Sequence, residues 1–240
     1  MMGEAATSTA RPGDVLRSLA FYVAFYGGTA LFVFVALLTL PFHDRLFRIV
    51  VEGWAAWHRR CVTGLLRITV ITDGTPPDGP VLLAIKHESF FEAIDAPNLL
   101  SHPGVFAKAE LLKIPLWGLA GRKYGLIGVE RDRGAKALRA MLTAARAVTG
   151  AGRPLVIYPE GTRIPHGQRA PLQAGFAGLY KLLNLPVVPV AVDSGPCYHH
   201  RWKRRGTITI RFGERIPSGL PREEIEARVT EAINVLNPET

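Results

Sequence analysis

The sequence predicts an α/β protein with a mixed, mostly parallel sheet flanked by helices, and an N-terminal hydrophobic helical membrane anchor. Three observations predict this class. Residues 19–42 contain no Asp, Glu, Lys, Arg or His, short β-branched segments alternate with helical ones after residue 68, and 48% of the 240 residues are hydrophobic against 20% charged. Such a composition excludes disordered, collagen-like and disulfide-scaffold chains.

The apolar run at residues 19–42 is long enough for a membrane helix, because a rise of about 1.5 Å per residue lets it cross about 30 Å of hydrocarbon. It exceeds the about 7–15 apolar residues of a signal peptide, and no cleavage site with a cysteine-paired domain follows. We therefore expect a retained anchor rather than a cleaved signal. Two alternatives stay open: a helix buried in the core, and a shallow two-helix insertion broken at Gly27 and Gly28.

The next segment, residues 42–68, predicts an amphipathic helix, because apolar residues recur at helical spacing with arginines between them. Such a helix could lie in the headgroup layer of a membrane or pack on the domain that follows. We accordingly divide the chain into an N-terminal unit, residues 1–67, with the anchor and this juxtamembrane helix, and an α/β domain, residues 68–240.

The formal net charge of +9 points to an anionic partner. Residues 1–40 hold two arginines and two acidic residues, so the whole excess of positive charge follows the apolar run. Arginines are also more frequent just after the run than before it, as the positive-inside tendency predicts for a cytoplasmic segment. We expect a protein of the cell membrane whose α/β domain lies on the cytoplasmic face.

Seven short apolar or β-branched segments predict strands, at residues 68–72, 81–85, 105–108, 125–129, 155–158, 187–192 and 207–212. Five segments with helical periodicity predict helices, at residues 90–100, 110–121, 136–149, 172–183 and 222–236. In sheets of this kind, functional sites lie in the loops beyond the strand ends.

His87 follows the apolar strand V-L-L-A-I-K and begins the block H-E-S-F-F-E, which ends in Glu92. A carboxylate one turn into the next helix can hold one ring nitrogen protonated and leave the other nitrogen free to take a proton. Asp95 is a second candidate for that carboxylate. A histidine that only caps the loop is the simpler alternative.

A second block, Y-P-E-G-T-R at residues 158–163, also comes directly after a predicted strand. Gly161 allows close backbone approach, the hydroxyl of Thr162 can donate, and Arg163 offers a fork that matches phosphate or carboxylate oxygens. The block is typical of an oxyanion cradle, although a turn with an exposed ion pair is an alternative. Lys108 and Arg131 follow two further strands, where solvated cations are also common.

The run R-W-K-R-R at residues 201–205 is a dense basic patch. No aromatic RNA-binding strand, zinc finger or basic zipper accompanies it in the sequence, so we expect no nucleic acid partner. Together with an apolar anchor, the patch indicates an anionic membrane surface as the partner. A solvated loop is the alternative.

In chain order, the blocks H-E-S-F-F-E, F-A-K-A-E-L, G-L-I-G-V-E-R, Y-P-E-G-T-R and L-P-V-V-P-V-A-V resemble the pattern of the glycerolipid acyltransferases. They are most similar to the 1-acylglycerol-3-phosphate (lysophosphatidic acid) acyltransferases. The resemblance covers about residues 82–192. The first block of that family usually ends in Asp, where this chain has Glu92, and some similar members also carry Glu.

The resemblance implies that His87 is the general base and Glu92 its orienter. It implies that Pro189 shapes the wall of the acyl site. It also implies that the phosphate and glycerol of the acceptor are bound by Lys108, Arg131, Glu160, Gly161, Thr162 and Arg163.

The implied reaction moves a fatty acyl group from acyl-CoA or acyl carrier protein to the sn-2 hydroxyl of 1-acylglycerol-3-phosphate, which gives phosphatidic acid. Beyond the thioester co-substrate it needs no cofactor and no metal. The chain has no G-x-S-x-G elbow, so direct attack on the thioester is the consistent mechanism. The alternatives are another lysolipid acceptor, such as a lyso-ornithine lipid or other lysophospholipid, a non-catalytic module that binds acidic lipid, and a nucleic-acid protein suggested by net charge alone.

Overall fold

A seven-stranded sheet organises the part of the chain that the structure, a computed structural model, describes: residues 11–42, 44–129 and 134–237. Its strands are β1 (Ile68–Asp73), β2 (Leu82–Ile85), β3 (Gly104–Lys108), β4 (Leu126–Val129), β5 (Leu155–Ile157), β6 (Val187–Val192) and β7 (Gly206–Phe212). Their order across the sheet is β1-β7-β6-β2-β5-β3-β4. Neighbouring strands are parallel except β6 and β7, which run antiparallel, so the mostly parallel sheet predicted from the sequence is confirmed.

Helices cover both faces of the sheet. They are α1 (Pro12–Thr39), α2 (Asp44–Gly64), α3 (Phe91–Leu99), α4 (Trp117–Tyr124), α5 (Gly134–Gly150), α6 (Ala174–Leu183), α7 (Gly195–Tyr198) and α8 (Arg222–Ile233). Residues of α1, α2 and α3 form one core with one side of the sheet, and residues of α5, α6 and α8 form a second core with the other. Alternate residues of the buried strand β2 point into the two cores, as the period of two requires: Leu83 and Ile85 into the first, Leu82 and Ala84 into the second.

The helix predicted at residues 110–121 is wrong over its first half. The structure has a single 3₁₀ turn at Leu111–Lys113 and begins α4 only at Trp117. Pro115 explains the difference, because proline lacks a backbone N–H and disfavours helical backbone at the residue before it. Ile114 accordingly has extended backbone, with ψ of 122°.

The helices α1 and α2 form an antiparallel hairpin, and the Gly27–Gly28 pair does not interrupt α1. Gly28 instead admits the indole of Trp57, since a Cβ built on Gly28 would lie 2.1 Å from Trp57 Nε1. Trp57 Nε1 donates to the carbonyl of Ala24 at 3.2 Å, and Trp54 Nε1 donates to Thr29 Oγ1 at 2.9 Å. A break of the apolar run at the glycine pair is therefore wrong; the pair provides close packing between the two helices.

The amphipathic helix predicted after the anchor is confirmed as α2, and it packs on the domain. Its buried side chains include Ala55, His58 and Cys61, and it contacts α3 and β1 as well as α1. Of the two expected positions for this helix, the structure thus shows the one against the following domain. The division into residues 1–67 and 68–240 stays a prediction, although α1 and α2 share a core with the sheet.

One face of α1 carries large apolar side chains that no other described residue covers. Helix α1 is long and apolar enough to cross a membrane by length and composition. Its inner face packs through Phe21 and Phe25 on the rest of the protein, which leaves the opposite face accessible, so burial on all sides is excluded. The exposed stripe consists of Leu16, Leu19, Val23, Tyr26, Leu31, Phe34 and Leu38.

Candidate active site

The loop after β2 brings His87 and Glu92 together at the carboxyl end of the sheet. Strand β2 lies near the middle of the sheet and ends at Ile85, and Glu92 is in the first turn of α3. His87 Nδ1 lies 2.9 Å from Glu92 Oε1, and because a carboxylate accepts, Nδ1 carries the proton. The His87 side chain is 16% exposed, so its Nε2 can receive a proton from a substrate that reaches the loop.

The carboxylate of Glu92 is held ionised in a fixed position. Burial by itself raises the pKa of Glu92, but hydrogen bonds and the charge of His87 outweigh burial and leave the pKa below its usual value. Oε1 accepts from the backbone N–H groups of Glu88 at 2.6 Å and Ser89 at 2.7 Å, and Oε2 accepts from Ser194 Oγ at 2.8 Å. The anion can therefore orient the imidazole and stabilise its protonated form.

The rival carboxylate, Asp95, is engaged elsewhere. Its oxygens accept both Nε, at 2.7 Å, and Nη2 of Arg59, and Asn98 Nδ2 donates to it at 2.8 Å. Asp95 thereby joins α3 to α2. Glu92 is the carboxylate that faces His87.

Tyr158 supports the imidazole from the side, and sequence reasoning gave it no role of its own. Its ring centroid lies 4.4 Å from that of His87, with 32° between the planes. The hydroxyl is buried and has no hydrogen-bond partner among the described residues. Burial, followed by the nearby charges of Glu92 and Asp95, raises the pKa of Tyr158 well above its ordinary value, so the phenol stays neutral.

Glu160 lies beneath the site rather than at its surface. Its Oε1 accepts from Lys86 Nζ at 2.7 Å, both side chains are 0% exposed, and Oε2 accepts from the backbone N–H of His87 at 3.2 Å. The resemblance implies a contact of Glu160 with the acceptor, whereas the structure shows its carboxylate occupied inside the protein. In this structure Glu160 fixes the loop that carries His87.

The rest of the Y-P-E-G-T-R block reaches the surface beside His87. Gly161 has φ of 68°, which glycine adopts without strain, and its N–H donates to the carbonyl of Tyr158 at 2.9 Å. Thr162 and Arg163 are exposed. The guanidinium of Arg163 stacks over the ring of Phe90, 4.2 Å from its centroid, so its fork is held in place next to the His87 loop.

The remaining predicted site residues are distributed as follows. Lys108 is exposed at the carboxyl end of β3, which is hydrogen-bonded to β5. Arg131 lies outside the described residues. Pro189 is buried in β6, opposite Ala84 of β2, so its predicted contact with the acyl chain stays a prediction.

The basic run at residues 201–205 does not present all its cations to solvent. Lys203 is 7% exposed, its Nζ donates to the carbonyl of Tyr198 at 2.9 Å, and it lies 3.7 Å from the Tyr198 ring centroid. Burial lowers the pKa of Lys203 to about 8. The run is also tied to α1, because Lys203 N–H donates to Ser18 Oγ at 2.8 Å and Tyr22 donates to the carbonyl of Arg201 at 2.5 Å.

A histidine held by a buried carboxylate, beside a loop that carries Arg163 at the carboxyl end of a mostly parallel sheet, is a geometry suited to general-base catalysis. The comparisons with known proteins give the class of enzyme. Residues 67–193 match the acyltransferase family, and the chain belongs to that family.

Named relatives and a solved structure resemble most of the chain. It is 32% identical to the 1-acyl-sn-glycerol-3-phosphate acyltransferase of Pseudomonas aeruginosa, over 83% of this chain and 80% of that protein. It is 25% identical to the human 1-acyl-sn-glycerol-3-phosphate acyltransferase alpha, over 86% of this chain and 76% of that protein. The crystal structure of the 1-acyl-sn-glycerophosphate acyltransferase PlsC of Thermotoga maritima has the same fold, with a TM-score of 0.70, 21% identity, and 95% and 97% of the two chains covered.

Proposed function

We propose that this enzyme is an O-acyltransferase that moves a fatty acyl group from acyl-CoA or acyl carrier protein to the sn-2 hydroxyl of 1-acylglycerol-3-phosphate. The product is phosphatidic acid, a precursor in phospholipid biosynthesis. The observation that carries the proposal is the His87–Glu92 pair beside the Arg163 loop, and the names of the relatives support the same acceptor. The acyl donor thioester is the co-substrate, and the proposal includes no further cofactor.

In the proposed reaction His87 acts as the general base. Its Nε2 takes the proton of the acceptor hydroxyl while the oxygen attacks the thioester carbonyl, so a C–O bond forms and the C–S bond breaks. The proton on Nε2 then passes to the departing thiolate, which restores neutral His87. Glu92 stabilises the imidazolium that exists between these two steps, in the way a buried carboxylate does for a histidine base.

The cations around the loop supply the selectivity proposed for a phosphate monoester. Arg163 follows β5 and Lys108 ends β3, and these two strands are adjacent in the sheet. Both residues therefore lie at the carboxyl end of the sheet, where His87 lies. The resemblance adds Arg131, after β4, to this set. A guanidinium already stacked on Phe90 loses little freedom when it binds phosphate oxygens.

Replacement of Arg163 by alanine tests the choice of acceptor. We expect the KM for 1-acylglycerol-3-phosphate to rise about 10–100-fold, since a hydrogen bond to a charged group is worth about 1.5–3 kcal/mol, and the KM for a phosphate-free monoacylglycerol to change little. Initial rates of thiol release with the two acceptors measure the difference. Arg228→Ala, an exposed position on α8, is the matched control.

An equal rise of both KM values in Arg163→Ala would contradict the proposed phosphate contact. Faster turnover of a lyso-ornithine lipid or another lysophospholipid than of 1-acylglycerol-3-phosphate would favour the alternative acceptor. A panel of lysolipids with both donor types, assayed on the same membranes, separates these cases.

We also propose that the α1–α2 hairpin attaches the enzyme to the cytoplasmic face of the cell membrane. The exposed stripe of α1 gives the apolar surface for acyl chains. Helix α2 packs along α1 and carries Arg48, Glu52 and Arg59. If both helices crossed the membrane, these charged side chains would be buried in hydrocarbon. A shallow insertion avoids that cost, because the stripe enters the lipid while α2 stays on the protein side.

The exposed arginines of the run at residues 201–205 are proposed to contact anionic headgroups next to the hairpin, with no part for nucleic acid. Neutralising Arg201 and Arg205 to glutamine should weaken binding to anionic vesicles roughly thirtyfold, at about 1 kcal/mol per residue near the surface. Co-sedimentation with anionic and with zwitterionic vesicles measures this effect, and Arg228→Gln on α8 is the control. Equal weakening with both kinds of vesicle would show that the arginines do not contact charged lipid.

A further inference from the structure

Two asparagines directly after α8 contact the residues on either side of His87. Asn234 and Asn237 are each 1% exposed, and both lie well beyond residues 67–193, the part that matches the acyltransferase family. We propose that Asn234 and Asn237 are positioning residues that hold the His87 loop in its reactive geometry. This inference rests on the proposed role of His87 as the base.

Asn234 acts on the loop from one side through a buried lysine. Its Oδ1 accepts from Lys86 Nζ at 2.8 Å, and its Nδ2 donates to the carbonyl of Thr230 in α8 at 2.7 Å. Lys86 in turn donates to Glu160 Oε1, and Glu160 Oε2 accepts from the backbone N–H of His87. The amide of Asn234 thus helps to place the ion pair on which the His87 backbone rests.

Asn237 acts from the other side through a buried carboxylate. Its Nδ2 donates to Glu88 Oε1 at 2.9 Å, and its Oδ1 accepts from the backbone N–H of Gly167 at 2.7 Å. Glu88 Oε2 accepts from the backbone N–H of Gly195 at 2.7 Å, and His166 Nδ1 lies 3.1 Å from Oε1. Glu88 is therefore fixed by three separate parts of the chain.

These contacts affect the His87–Glu92 hydrogen bond because the backbone of the same loop also binds Glu92. The N–H of Glu88 donates to Glu92 Oε1 at 2.6 Å, the oxygen that also faces His87 Nδ1. A shift of Lys86 or Glu88 would move both partners of the His87–Glu92 hydrogen bond. Displacements of about 1 Å at a reacting group can cost about 10²-fold in rate.

The test compares leucine and aspartate at the two positions. Leucine has about the size of asparagine without its hydrogen bonds, so Asn234→Leu and Asn237→Leu should each lower kcat about 10–100-fold, with the KM values for donor and acceptor within about twofold of the wild type. Val235→Ala, an exposed change between the two asparagines, should leave kcat unchanged. Vesicle binding and the thermal unfolding midpoint report whether each variant is folded.

The aspartate variants keep the proposal falsifiable if a leucine variant does not fold. Asn234→Asp keeps an oxygen acceptor for Lys86 and loses only the hydrogen bond to the Thr230 carbonyl within α8, so it should retain most of kcat. Asn237→Asp loses its donor to Glu88 and places a carboxylate against it, so its kcat should fall. Equal kcat in the two aspartate variants, wild-type kcat in folded leucine variants, or a loss confined to KM would overturn the inference. Full activity of His87→Ala would instead overturn the proposed function, so the two failures are distinguishable.

Discussion

Replacing His87 by alanine is expected to lower kcat for acyl transfer by about 10²–10⁴-fold, because general-base assistance is typically worth that much. The reason lies in the geometry: Glu92 orients the side chain of His87 through Nδ1, and the remaining ring nitrogen is the proposed acceptor for the hydroxyl proton. Thiol release from the acyl donor, followed with saturating acceptor, measures the loss.

The fold should survive this change. Glu92 keeps its hydrogen bonds from the backbone of Glu88 and Ser89 and from the Ser194 hydroxyl, so the buried carboxylate stays satisfied. Vesicle binding and thermal unfolding should match the wild type, and His200→Ala, an exposed histidine outside the pair, should keep full activity. Wild-type rates in His87→Ala would show that the pair is not the catalytic base.

Replacing Lys86 by methionine is expected to lower the free energy of unfolding by about 3–5 kcal/mol, the usual cost of removing one partner from a buried ion pair. Both Lys86 and Glu160 are completely buried, so the change leaves the carboxylate of Glu160 without its cation. Urea unfolding of the purified enzyme, followed by circular dichroism, measures the difference.

A double variant separates the ion pair from simple packing. Lys86→Met combined with Glu160→Gln removes both charges, so it should be more stable than Lys86→Met alone. Lys181→Met, at an exposed position of α6, should change stability by less than about 0.5 kcal/mol. A destabilisation by Lys86→Met no larger than that of Lys181→Met would contradict the burial of the pair.

The elements of the fold and the centre of the site follow from local patterns in the sequence. Every predicted strand is present, because runs of β-branched residues between turn residues are a short-range signal. His87 and Glu92 also form a short-range signal, because they are only five positions apart: His87 lies in the loop after β2 and Glu92 in the helix that follows. Spacing alone does not decide whether Glu92 or Asp95 faces His87. Arg59, which is distant in the sequence, binds Asp95 and leaves Glu92 as the partner of His87.

Other features depend on contacts between distant parts of the chain, which periodicity does not report. Lysine side chains are normally solvated, yet Lys86 and Lys203 are buried because carboxylates, carbonyls and aromatic rings from other elements surround them. The support of His87 by Tyr158 and by Asn234 has the same origin. The inward orientation of the Glu160 side chain likewise reflects its ion pair with Lys86.

The joining of α1 to the loop at residues 201–205 has a consequence for how the enzyme meets its substrates. Lys203 and Tyr22 fasten one end of α1 to that loop, and α4 fastens the other end, since Lys123 Nζ donates to the carbonyl of Leu40 at 2.6 Å. The hairpin is therefore held to the α/β domain near both ends of α1. With the membrane attachment proposed above, these contacts keep His87 at one distance from the lipid surface. That distance sets how deep an acyl chain can extend from the site.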